Sequence, residues 1–117
     1  PSENWNGSER LHFRVSDSGG LWDSTSALFV VSAVNDSPKF VAPLPMLSFN
    51  EDDSLVYPDS AWYAYVADPD NADSTLTFLL NSGKHIQVKK QTRRFVFSAV
   101  ENWFGSDTLL LFVNDGQ

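Results

Sequence analysis

The sequence predicts an all-β fold, a Greek-key β-sandwich, and three observations carry this prediction. Apolar residues alternate with polar ones along short runs, and the chain lacks the apolar spacing of an amphipathic helix. Turn-forming residues interrupt these runs every eight to twelve positions, which is typical of the strands of a sandwich. The third observation is an internal repeat, because residues 3–17 return as residues 101–115 at a constant offset of 98 positions (101 − 3).

The two copies of the repeat share Glu, Asn, Trp, Gly, Ser, Leu, Val and Asp at matching positions. A period near one hundred residues is the size of one sandwich domain, and it exceeds the units of solenoids and propellers. We therefore interpret the chain as a fragment of a tandem array of β domains. Residues 1–36 form the C-terminal hairpin of one repeat plus its linker, and residues 37–117 form the next repeat without its last strand.

The first repeat is predicted to contribute an antiparallel hairpin, with strands near 10–15 and 27–34. The sequence Asn-Asp-Ser-Pro at 35–38 then breaks the alternation, because proline donates no ladder hydrogen bond and favours an extended residue before it. We expect a short, stiff linker there. Pro43 and Pro45 exclude a central strand directly after the linker. Further strands are predicted at 46–49, 61–66, 74–80, 85–89, 95–99 and 108–114.

The last predicted strand, 108–114, has no counterpart of the strand that follows residue 17 in the first copy. The second repeat should therefore expose an open sheet edge. Leu110 and Phe112 replace His12 and Arg14, so this strand is apolar on both faces. Two interpretations stay open: a loop covers the two side chains, or a partner chain does so in a domain-swapped homodimer. Completion within one chain would require the segment after the linker to span roughly 30 Å at about 3.3 Å per residue.

Composition narrows the classes of function. The net charge of −7 argues against nucleic acid, because a phosphate-binding face needs an excess of Lys and Arg. The basic residues at 89–94 are interpreted as a polar hairpin turn. The chain has no cysteine, which excludes disulfides and thiolate metal sites and favours a bacterial secreted protein. No apolar run is long enough to cross a membrane. For a secreted protein of this kind we expect an extracellular or cell-surface location.

Acidic residues gather at the predicted loop ends. Carboxylates that converge at one pole repel each other unless a cation neutralises them, and oxygen donors without His or Cys select Ca²⁺. Asp68 and Asp70 are two positions apart, so a curled loop can direct both at one ion. The EF-hand pattern is absent.

The alternative interpretation assigns the same acids to ordinary β-turns, in which Asp bonds its own backbone. We favour turn formation for four of them and calcium for the group of Asp36, Asp68 and Asp70. Asp17 and its repeat counterpart Asp115 suit either role. The four assigned to turns are Asp23, Asp52, Asp53 and Asp73.

Several motifs together resemble the cadherin-like tandem repeats of bacterial surface adhesins, within the Ig-like β-sandwich superfamily. They are the repeated Asn-Trp-x-Gly, the linker 35–38, Asn-Glu-Asp at 50–52 and Asp-Pro-Asp-Asn at 68–71. The resemblance covers nearly the whole chain, and it implies Ca²⁺ bound between successive domains. Carried over by position, it implies six ligand residues: Glu3, Asn35, Asp36, Asp68, Asp70 and Asp115. Glu51 and Glu101 would serve the next junction.

The chain also departs from the animal cadherin pattern. Ala33 and Val34 replace the acidic residue before the linker, and the Asp-Arg-Glu motif is present as Glu-Asn-Trp. We therefore expect fewer ions per junction.

The resemblance implies a calcium-dependent structural and adhesive repeat of a large bacterial surface or secreted protein. Its partners would be neighbouring repeats and a cell-surface protein or glycan. No enzymatic function is expected, because His12 and His85 lie in strands and the common catalytic motifs are absent. The alternative function is a carbohydrate-binding accessory module of a secreted hydrolase. That alternative would use Trp22, Trp62, Tyr63 and Tyr65 as a stacking face for sugars. Alternation places Tyr63 and Tyr65 on one face of a strand and Trp62 on the other.

Overall fold

The computed structural model describes residues 2–117 and consists of nine strands and two short 3₁₀ helices in that range. Strands account for 42% of the residues and helices for 9%, so the prediction of an all-β fold is confirmed. The chain divides into two compact units, Pro1–Asn35 and Asp36–Gln117.

The first unit is an antiparallel hairpin of two long strands, β1 (Gly7–Ser16) and β2 (Trp22–Val31). The strands pair along all ten residues, from Gly7 opposite Val31 to Ser16 opposite Trp22. Asp17 closes the loop, because its carboxylate accepts the N–H of Leu21 at 2.9 Å. The predicted hairpin is confirmed. The loop is shorter than expected, so the second strand begins at 22.

The second unit contains the remaining strands in three small antiparallel sheets. They are β3 (Lys39–Phe40), β4 (Ser54–Pro58), β5 (Val66–Ala67), β6 (Thr77–Leu80), β7 (Ile86–Gln91), β8 (Arg94–Ala99) and β9 (Leu111–Asn114). The sheets are β3–β5, β4–β8–β7 and β6–β9. The predicted basic turn is confirmed as the β7–β8 hairpin, where Arg93 takes a left-handed φ of 58°.

The core of the second unit follows the period of two that strands impose. Phe95 and Phe97 lie on one face of the central strand β8 and are 1% and 3% exposed. Trp62 packs beside them, with its ring 4.5 Å from that of Tyr57. The complete buried cluster is Trp62, Val66, Leu76, Phe78, Phe95 and Phe97.

Two predicted strands are wrong. Residues 46–49 form no strand, because Pro43 and Pro45 precede them and no described strand pairs with them. Residues 59–65 form a 3₁₀ helix instead of the strand predicted at 61–66. In a strand, Trp62 would face away from its neighbour Tyr63, whereas the helix lets both pack against the core.

The two copies of the repeat fold alike at their first residues. The N–H of Trp5 donates to the carbonyl of Ser2 at 3.1 Å, and the N–H of Trp103 donates to the carbonyl of Val100 at 3.0 Å. The Asn before each Trp is left-handed, with φ of 59° and 55°. Each copy therefore begins with the same tight turn, and Asn is among the residues that tolerate this conformation best.

The copies then diverge in the strand that follows. β1 runs over ten residues, whereas β9 contains only 111–114 of the predicted 108–114. β9 pairs with β6 from Leu80 opposite Leu111 to Thr77 opposite Asn114. The ladder is short because β6 has only four residues. Leu110 and Phe112 are 61% and 49% exposed, so no loop of the described chain covers them.

Candidate metal centre

The loop after β5 carries the Asp-Pro-Asp-Asn motif and is organised by its first residue. One carboxylate oxygen of Asp68, Oδ1, accepts the N–H groups of Asp70 and Asn71, both at 2.8 Å. The side-chain amide of Asn71 also donates to this oxygen, at 3.3 Å. Pro69 presets φ and donates no hydrogen bond, so it suits the second position of such a turn.

The linker meets this loop directly. The backbone N–H of Asp36 donates to Oδ2 of Asp70 at 2.6 Å, across 34 positions of sequence. The structure therefore brings the backbone of Asp36 to the loop of Asp68 and Asp70, and a shared site for the three carboxylates stays a prediction. The contact joins the first residue of the second unit to the loop that follows β5.

The second oxygen of Asp68, Oδ2, is buried and has no hydrogen-bond partner within residues 2–117. A buried carboxylate oxygen without a donor is costly, and in native proteins such a group usually contacts a water or an ion. This oxygen fits a hard cation such as Ca²⁺. Among residues 2–117, no three His, Cys, Asp or Glu side chains meet closely enough to hold a metal by themselves.

The other predicted ligands lie in three places. Glu3 is in the repeated turn of the first unit, and Asn35 is the last residue of that unit. Asp115 follows β9, and its Oδ1 accepts the N–H of Gln117 at 3.0 Å. Their participation in a common site stays a prediction.

Three of the acids assigned to turns accept backbone hydrogen bonds. Asp23 and Asp53 each accept the N–H of the following residue at 2.8 Å. Asp52 is left-handed and accepts the N–H of Asn102 at 3.0 Å, so it joins its own turn to the repeated turn of the second copy. Asp73 begins the second 3₁₀ helix, and Asp17 closes the β1–β2 loop.

Sequence reasoning missed Asp107, which joins the start of β7 to the segment before β9. Its Oδ2 accepts the N–H groups of His85 at 2.7 Å and Ile86 at 3.1 Å, and its Oδ1 accepts that of Thr108 at 3.0 Å. These backbone donors hold the pKa of Asp107 below its ordinary value. The repeat carried a signal for this residue, because its counterpart Glu9 is also acidic.

Three aromatic residues of the sugar-binding alternative lie in an arrangement different from the predicted one, whereas Trp22 is 60% exposed. Trp62 is 3% exposed and belongs to the core. Tyr63 lies in the 3₁₀ helix, with its ring 6.1 Å from that of Phe78, and Tyr65 also packs against the core. The strand that would have aligned the two tyrosines is absent from this segment.

The fold and this site define the class of the protein as an all-β module with an acidic loop that receives the linker. Comparisons with protein-family models, with curated proteins and with solved structures found no match. Within residues 2–117, no helix is long and apolar enough to cross a bilayer.

Proposed function

We propose that this chain is a calcium-dependent structural and adhesive repeat of a large bacterial surface or secreted protein, built as a Greek-key, cadherin-like sandwich. The contact between the linker residue Asp36 and the carboxylate of Asp70, beside the unpartnered oxygen of Asp68, carries the proposal. The backbone of the linker is thereby held at the loop that carries the carboxylates of Asp68 and Asp70, at the point where the linker enters the second unit.

The proposed ligands follow from the oxygens that remain available. Ca²⁺ takes six to eight oxygen ligands in flexible geometry. Asp68 would supply its buried Oδ2, and Asp36 and Asp70 would each supply a carboxylate oxygen. Backbone carbonyls and water would supply others, and the resemblance adds the set Glu3, Asn35 and Asp115.

Calcium at this position would stiffen the linker. Residues 32–38 form no regular structure, so the hydrogen bond of Asp36 to Asp70 anchors an otherwise irregular segment. A cation would neutralise the repulsion between the carboxylates of Asp68 and Asp70, and it would thereby strengthen the anchor of the linker. Because it would bind the folded state alone, it would also raise stability by mass action. A stiff linker suits an extended array that displays its neighbouring repeats to a surface protein or glycan.

The test is a thermal melt of the full chain in EDTA, in millimolar CaCl₂ and in millimolar MgCl₂. We expect calcium, and not magnesium, to raise the melting temperature by several degrees. The double variant Asp68→Asn and Asp70→Asn should lose this response. A matched control, Asp53→Asn with Asp73→Asn, removes the same charge from acids assigned to turns and should keep it.

An unchanged melting temperature in calcium would contradict the proposal. Loss of the response in both double variants would also contradict it, because the effect would then come from total charge and not from this loop.

A further inference from the structure

A cleft with a volume of about 620 Å³ opens into the second unit. One wall is the segment 44–51, and the other is the segment 103–109. Neither wall belongs to a strand. The core residues Trp62 and Phe97 line its interior, so the cleft leads from solvent to the centre of the hydrophobic cluster.

The cleft reaches β9 at Leu111, which lines it together with the segment 103–109. That strand pairs with β6 on one edge, and no strand within residues 2–117 pairs with its other edge. Such an edge exposes a row of backbone donors and acceptors, which is a template for another strand. The segment 105–109 therefore lines an apolar cleft, and the strand that follows it has an unpaired edge.

The first unit shows which strand pairs with the first copy of the repeat. β1 is the repeat counterpart of residues 105–114, and it pairs with β2 along its full length. The first copy of the repeat is therefore a ten-residue strand beside β2, and the related second copy contains a four-residue strand without such a partner.

We propose that β2 of a second copy of this chain inserts into the cleft and pairs antiparallel with residues 105–114. The register is that of the β1–β2 hairpin shifted by the repeat offset. Val31 of the second copy then lies opposite Gly105, and its Ser24 lies opposite Phe112. Insertion would extend β9 from four residues to ten.

The side chains of β2 suit the cleft in this register. Leu109 and Leu111 pack against the core, and they would stand opposite Ala27 and Thr25. Alternation directs Phe29 to the same face, toward the cleft. Phe29 is 49% exposed in the hairpin, so insertion would remove a large apolar side chain from water.

The exchange is favoured by burial and not by hydrogen bonding. Within the hairpin, every residue of β1 and β2 except Ser26 is exposed, so β2 gains a ladder there and almost no core. Two-stranded hairpins of this kind are marginal in water. In the cleft, β2 would form the same ladder and would also cover exposed apolar side chains of the lining, such as Leu44 and Phe104. The result is a strand-exchanged dimer whose formation depends on concentration.

The test uses two single-cysteine chains, Phe112→Cys and Ser24→Cys, in a protein that has no cysteine of its own. Both positions are exposed, so neither substitution disturbs the core. The two chains are mixed in urea, refolded together in EDTA at high concentration and oxidised, and the mixed disulfide is measured by intact mass. Residues directly opposite in a ladder lie close enough to form the bond. We expect the mixed disulfide to exceed that of the matched pair Phe112→Cys with Ser26→Cys several-fold.

Sedimentation of the unmodified chain supplies a second measurement. We expect a shift from 13.1 kDa toward twice that mass as concentration rises, together with slowed hydrogen exchange at the amides of 106–110. A monomer at all concentrations, with equal disulfide yields in the matched and shifted pairs, would overturn the proposal. A bond within one chain of the double variant Phe112→Cys and Ser24→Cys, at high dilution, would place the strand in cis and overturn it as well. All these experiments are made without calcium, so they are independent of the proposed metal site.

Discussion

Trp103 lies over Gly105, two residues further along the chain. A Cβ atom at Gly105 would sit 2.9 Å from Cζ2 of the indole ring. The first repeat has the same arrangement, because a Cβ at Gly7 would sit 3.3 Å from Cζ2 of Trp5. The two glycines have φ of 152° and 144°, a region that residues with a side chain rarely adopt. The Asn-Trp-x-Gly motif is therefore a structural unit in which the Trp ring packs against the backbone of the glycine.

This relationship predicts that Gly105→Ala destabilises the protein. The new methyl group would press on the Trp103 ring, and the backbone would leave its preferred region, at a combined cost of about 2 kcal/mol. Gly116→Ala is the matched control, because Gly116 also has a positive φ but has open space around it. Thermal unfolding monitored by tryptophan fluorescence gives the comparison. Equal melting temperatures for the two variants would show that the ring does not require the glycine.

Asp107 predicts a specific dependence of stability on pH. Its pKa is lower in the folded chain than the ordinary 3.8, chiefly because the backbone N–H groups of His85 and Ile86 donate to the carboxylate. The unfolded chain therefore binds a proton first as pH falls. The stability that Asp107 contributes is complete above the ordinary pKa and is lost as pH falls through the lower, folded one.

The variant Asp107→Asn isolates this contribution. We expect it to be less stable than the parent at neutral pH, with a difference that shrinks as pH falls toward 3.8 and on through the lower pKa of the folded chain. Urea unfolding at a series of pH values measures the difference. A gap that stays constant over this range would assign the effect of the substitution to packing and not to the charge.

Asp68 is expected to have two separable roles. Its Oδ1 organises the loop through Asp70 and Asn71 without any metal. In EDTA, Asp68→Ala should therefore lower the free energy of unfolding by about 1 kcal/mol, because these hydrogen bonds are lost. Asp68→Asn retains the acceptor and should change stability less.

In calcium, both Asp68 variants should lose the rise in melting temperature, because the ligand oxygen is gone in each. A variant Asp68→Asn that keeps the full calcium response would remove this residue from the metal site while leaving its part in the loop intact.

The burial of Phe95 predicts that its substitution strongly destabilises the second unit. It is 1% exposed on the central strand β8, and the ammonium group of Lys90 lies 3.9 Å from the centre of its ring. Phe95→Ala should cost about 4 kcal/mol, from lost burial and the cavity that remains. Val56→Ala, on the neighbouring strand β4 and half exposed, should cost under about 1 kcal/mol. Chemical denaturation measures both, and similar midpoints would contradict the assignment of the core.

The sequence alone did not predict which residues far apart in the chain contact each other. Residues 61–66 carry β-formers, and the sequence predicted a strand there. The structure has a helix because Trp62 and Tyr63 both reach one core in that conformation. The site shows the same limit. The spacing of Asp68 and Asp70 predicted a shared loop, but the hydrogen bond from Asp36 and the role of Asp107 depend on partners more than twenty positions away.

The sequence by itself determined the features that local conformation controls. Alternation placed Phe95 and Phe97 on one buried face, Asn and Gly set the two identical turns, and the basic hairpin formed as predicted. Tertiary structure alone decided the length of each ladder. Residues 7–16 and 105–114 are related copies of the repeat, yet the first is a strand of ten residues and the second contains a strand of four. The physical reason is that side-chain alternation is a property of the chain, whereas a strand extends only as far as another strand satisfies its backbone hydrogen bonds.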